Sequence, residues 1–113
     1  MLAIKEFERE VIEILVKDVL PSSVLASVIE EPEHVDYEYS GAGYFLTVKH
    51  AALPHKRIVC CEPDVRGVVE GMESGFIVFL ENNELTLECH PWDDNLPEDY
   101  RDKEMSIIVV AGE

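Results

Sequence analysis

Long apolar runs are missing from this sequence. The longest, Phe76–Leu80 and Ile107–Ala111, fall far short of the ~20 residues that a membrane-crossing helix needs. The first ten residues carry Lys5, Glu6, Glu8, Arg9 and Glu10, which leave no apolar core for a secretory signal. Cysteine is scarce and odd in number, with 3 in 113 residues, so no disulfide framework is expected. Cys60 and Cys61 are adjacent and, on a strand, point to opposite faces. Together these absences suggest a reducing, cytoplasmic setting.

Positive charge is also in short supply. There are 9 Lys and Arg against 24 Asp and Glu, a net −15. Polyphosphate binding needs a cationic surface, so nucleic acid is not an expected partner. Anionic membrane surfaces are disfavoured for the same reason. A basic protein partner remains compatible with this charge, as does an acidic surface that serves solubility alone.

Several chemical signatures fail on inspection. Gly41-Ala42-Gly43 lacks the third glycine of a dinucleotide loop, because Leu46 stands there and a strand pattern follows. The histidines and cysteines show no C-x-x-C or H-x-x-x-H spacing, so neither metal nor cofactor is expected. Asp93, Asn95 and Pro97 imitate a calcium loop, but Pro97 stands where an oxygen ligand is needed and Glu98 where glycine is needed. No G-x-S-x-G is present. Cys60 or Cys61 with Glu88 and His90 is the one conceivable nucleophilic set, and no catalytic residue is assigned. A non-enzymatic role is favoured.

What the sequence does contain is a clear β-hairpin. Two runs of high strand propensity flank Asn82-Asn83, and Asn tolerates the left-handed conformation that a two-residue turn needs. The implied register sets Leu80 against Leu85, Val78 against Leu87 and Phe76 against Cys89 on one face. Phe79 meets Thr86, and Ile77 meets Glu88, on the other. Apolar residues on both faces predict a central strand covered on both sides.

Before the hairpin, Leu2 to Leu20 has helical periodicity, with Ile4, Phe7, Val11, Ile14 and Leu15 on one face. Pro21 stops it. Ser22 or Ser23 is placed to cap a short second helix carrying Val24, Leu25, Val28 and Ile29. The period then becomes two. Strands are expected around residues 34–39, 44–50, 57–61 and 65–71, with Gly67 marking a bulge. Pro91 to Lys103 reads as an acidic loop with one helical turn from Pro97. Met105 to Ala111 is the last strand. Short connections require antiparallel pairing. The expected fold is one α+β domain spanning residues 1–113: an N-terminal helix and a short second helix packed on a curved antiparallel sheet of six or seven strands.

Two groups of residues are candidates for binding. Lys49, His50, His55, Lys56 and Arg57 form a cationic stretch uninterrupted by acid. It is expected to pair with the protein's own acidic loop. Lys49, His50, His55 and Arg57 join Glu88, His90 and Trp92 as a candidate ligand-binding or minor enzymatic face. The acidic loop supplies Asp93, Asp94, Glu98, Asp99 and Asp102 as a candidate contact for a basic partner, as in an inhibitor or immunity-type protein. The Met105–Ala111 strand is a candidate homodimer edge.

Overall fold

Helix α1 covers Glu6–Val16 in a computed structural model that describes residues 3–110. Its buried face is Glu8, Val11, Ile12, Leu15 and Val16, with Phe7 and Ile14 at the margins. That face is rotated slightly from the expected one, bringing in Ile12 and Val16. Helix α2 spans Ser22–Glu30 and buries Leu25 and Val28. Pro21 occupies its N-cap without a side-chain cap, so neither Ser22 nor Ser23 plays the expected role. Proline's fixed φ suits this entry and leaves Ser22 as the first helical residue. Leu2 and Ala111, at the ends of two expected elements, lie outside the described residues.

Seven strands follow: β1 His34–Tyr39, β2 Tyr44–Lys49, β3 Ile58–Cys60, β4 Asp64–Val69, β5 Met72–Glu81, β6 Glu84–Pro91 and β7 Ser106–Val110. They form an open antiparallel sheet in the order β1-β2-β6-β5-β4-β7, with β3 beside β5. β5 is long enough to pair with β4 along its first half and with β3 along its second. The β5–β6 hairpin has the expected register throughout, from Phe76 opposite Cys89 to Glu81 opposite Glu84. Asn82 and Asn83 take φ values of 53° and 63°, the left-handed pair that a tight hairpin turn requires.

Both helices lie on one face. They cover Leu46, Val48, Phe76, Val78, Leu80, Leu85, Leu87 and Cys89, which form one core with the helix residues. The opposite face carries Phe45, Thr47, Ile77, Phe79, Thr86 and Glu88, all half-buried. No helix packs there among the described residues. The expectation that β5 is covered on both sides is therefore corrected. Neighbouring side chains on the sheet shelter Ile77 and Phe79 in part, Arg57 lying 5.6 Å above the Phe79 ring.

No bulge occurs at Gly67, which pairs regularly with Ser74 on one side and Ile107 on the other. The position needs glycine for space. A Cβ there would lie 2.6 Å from Met105 Sδ and 2.9 Å from Ser74 Oγ.

The asymmetry of the two faces sets an expected contrast. Val78→Asp places a charge at a fully buried site and should unfold the domain or destabilise it by several kcal/mol. Thr86→Asp, on the open face, should cost far less. Chemical denaturation of the two variants checks this, and equal losses would overturn the assignment of faces.

Candidate functional site

The acidic loop is not a free loop. From Trp92, whose ring stacks on Arg66 at the helix-free face, the chain to Lys103 runs as a strap that packs Leu96, Tyr100 and Arg101 on the helix-bearing side of the sheet. Leu96 N–H donates to Ala42 O at 2.7 Å, and Trp92 N–H donates to Glu73 O at 3.1 Å. Tyr39 and Tyr37 hydroxyls donate to Leu96 O at 2.6 Å and Glu98 O at 3.1 Å. Leu96, Tyr100 and Arg101 point inward and are buried. The expected helical turn exists as a 3-10 turn at Tyr100–Asp102, three residues beyond Pro97.

Arg101 forms the strongest anchor. Its Nε and Nη2 donate to the two oxygens of Glu8 at 2.9 and 2.8 Å, a bidentate geometry that adds both strength and orientation. Tyr44 OH donates to Glu8 Oε2 at 2.6 Å, and Lys5 N–H donates to Oε1 at 2.7 Å. Arg101 Nη2 also donates to Ala3 O at 3.0 Å. Burial, with the Glu8 carboxylate alongside, pushes the Tyr44 hydroxyl well above the ordinary phenol range. Contact with Glu8 raises Arg101 further, against the effect of its own burial. Sequence carries a single signal for this set: a charge, Glu8, within the apolar stripe of α1.

A second polar cluster lies beneath the strap. Tyr100 OH donates to Met72 O at 3.0 Å and lies 3.1 Å from Ser74 Oγ. Cys89 sits beside it, its thiol pushed up to about 12 chiefly by burial. A thiol so held is a poor nucleophile at neutral pH.

The five carboxylates named as a candidate contact all point to solvent. Asp102 reaches Lys5 Nζ at 3.2 Å and Asp99 reaches Lys103 Nζ at 3.8 Å. Asp93, Asp94 and Glu98 have no ion-pair partner among the described residues. The cationic stretch does not meet this strap as expected. Arg57 Nη1 instead donates to Glu81 at 3.1 Å, and Lys49 stands opposite Glu84 on the neighbouring strand.

The stretch from His50 to Arg57 has a structural job. His50 N–H donates to Asn83 O at 3.1 Å, and Asn82 N–H donates to His55 O at 2.9 Å. Asn83 Nδ2 donates to Leu53 O at 2.7 Å. The loop thus clasps the turn of the central hairpin. His50 Nδ1 accepts from Ala52 N–H at 3.0 Å, while the side chain of His55 is exposed.

At the far end of the same hairpin, Gly75 separates Arg66 from His90 in one row across three strands. The His90 ring lies over Gly75, where a Cβ would clash with Nε2. Arg66 stacks 4.4 Å above the Trp92 ring, and His90 and Trp92 ring centres are 6.4 Å apart. Arg66 Nε and His90 Nδ1 are buried without hydrogen-bond partners. The residues proposed as one ligand face are therefore divided. His90 and Trp92 sit at this end, Lys49, His50, His55 and Arg57 at the other, and Glu88 between Phe45 and Ile77 in the middle. His90 stands six positions along the strand from Glu84, about 20 Å at ~3.3 Å per residue. The Arg57 end forms a shallow depression with Phe79, Glu81, Asn82, Glu84 and Thr86.

No protein-family model, curated protein or solved structure matches this chain.

The anchor yields one expectation. Arg101→Ala leaves the Glu8 carboxylate buried and uncompensated, and should cost roughly 3–5 kcal/mol in denaturant unfolding. Replacing both partners, as in Glu8→Gln with Arg101→Met, should restore a large part of that loss.

The thiols yield another. Cys61 is exposed and Cys89 buried, so Cys61 should react with a thiol reagent in the native protein and Cys89 only on unfolding. The folded chain holds the Cys89 proton up to about pH 12, against an ordinary value of 9.0. Unfolding therefore releases a proton above pH 9, and stability present in full below that should decline as pH climbs toward 12. Denaturation midpoints across this range, compared with Cys89→Ala, check the sign.

Proposed function

We propose that this chain is a small acidic binding protein of the cytoplasm, of the inhibitor or immunity type, which neutralises a basic protein partner. The reading assigns it no catalytic residue and no cofactor. The observation that supports it is the two-sided construction of the strap. Leu96, Tyr100 and Arg101 hold its backbone from within while Asp93, Asp94, Glu98, Asp99 and Asp102 face outward. A charged surface held in place before encounter loses less entropy on binding than a mobile loop.

The ion pairs favour the same reading. Lys5, Arg9, Arg57, Arg66, Arg101 and Lys103 are each bound to a carboxylate of this chain. The remaining acidic side chains have few internal counterions, so the outward field is strongly negative. Such a field steers a cationic partner and raises its rate of association.

The expected partner binds faster at low salt, because screening acts over about 8 Å at physiological ionic strength. Replacing Asp93, Asp94, Asp99 and Asp102 by Asn should leave folding nearly unchanged, since exposed pairs contribute little. The same variant should associate several-fold more slowly at low salt and show a flatter salt dependence. Capture of the partner from native lysate, followed by association kinetics at two ionic strengths, tests this. An on-rate indifferent to both salt and the substitutions would reject the electrostatic reading.

A further inference from the structure

The two outermost strands of the sheet, β1 and β7, differ in kind. An edge strand offers a row of unpaired N–H and C=O groups, and proteins commonly block such rows with charge, proline or a bulge. β1 is blocked in this way: His34, Asp36 and Glu38 alternate along it, all exposed, with His34 Nε2 3.1 Å from Asp36.

β7, at the opposite edge, has no such protection. It reads Ser-Ile-Ile-Val-Val, without charge or proline, and pairs with β4 in regular register from Ser106 to Val110. Among the described residues, no strand pairs with its other side. Ile108 is 49% exposed and Val109 47%. Being adjacent on a strand, they project to opposite faces. β7 thus presents aliphatic surface above and below an open row of backbone groups.

We infer that β7 is a self-association edge, to which a second copy of this chain adds its own β7 antiparallel about a two-fold axis at Ile108. The register that pairs the whole strand sets Ile108 against Ile108 of the second copy, Ile107 against Val109 and Ser106 against Val110. Ile108 is then covered on the helix-free face and Val109 on the helix-bearing face. No like charges meet within the strand.

The occupant is a second copy because the edge asks for a strand that is uncharged and aliphatic on both faces, which is what β7 itself is. Edge-to-edge pairing also keeps two bodies of net charge −15 side by side, where face-to-face stacking would press their carboxylates together. Added salt should therefore tighten the dimer, opposite to its effect on a basic partner. The two-fold closes on itself because each β7 edge is used once. The outer edge left on each copy is the charged β1, and the second free edge, β3, is only three residues long.

The test is light scattering of the full chain from low to high micromolar concentration. The expected mass is about twice the 12.8 kDa of the chain, with the dimer fraction rising with salt. Ile108→Lys, at a half-exposed position, should keep its circular dichroism and lose the dimer. A single-chain mass at every concentration would overturn the inference, as would a dimer that survives Ile108→Lys. If that variant fails to fold, hydrogen exchange of the unaltered protein decides: amides of residues 106–110 should gain protection with concentration, and unchanged protection would overturn the inference.

Discussion

The carboxylate of Glu8 joins three parts of the chain that are distant in sequence. It accepts hydrogen bonds from its own helix entry at Lys5, from Tyr44 on β2 and from Arg101 in the strap. Glu8 is completely buried and Arg101 nearly so. A buried charge is tolerated only when paired and hydrogen-bonded. The first turn of α1, the start of β2 and the strap must therefore take their places together. With the strap so held, Leu96 and Tyr100 lie in the core and the last strand lies at the edge beside β4. Tyr37 and Tyr44 flank the guanidinium at 5.2 and 5.8 Å, shielding the pair from water.

Much of the sheet was legible because its signals are local. The Asn82-Asn83 turn, the two-residue periodicity and the short connections are enough to give the β5–β6 register and antiparallel pairing. The two glycines that fail as a dinucleotide loop instead make the β1–β2 turn, where Gly41 has φ 92° and a side chain at Gly43 would run into the Cys89 carbonyl. The Gly67 bulge was misread because glycine marks both irregular backbone and close packing. Only the positions of Met105 and Ser74 separate the two.

The candidate site was less legible because its contacts are long-range. Glu8 and Arg101 are 93 positions apart, and nothing near either names the other. Arg66 and Trp92 share a stack through the register of three strands, which composition cannot reveal. The cationic stretch around Arg57 suggested electrostatics, whereas its backbone instead clasps a turn. Apolar alternation on both faces of β5 suggested two covering layers. The side chains there need only partial shelter, which Phe45, Thr86 and Arg57 supply from within the sheet.

The strap separates residues that hold from residues that face outward. Inward positions answer to the core, and a change at Leu96, Tyr100 or Arg101 is felt by the whole domain. The intervening positions Asp93, Asp94 and Glu98 face solvent with no ion-pair partner among the described residues. Their side chains can therefore vary almost independently of folding. A surface built this way can change its charge one residue at a time, while the scaffold beneath it stays constant.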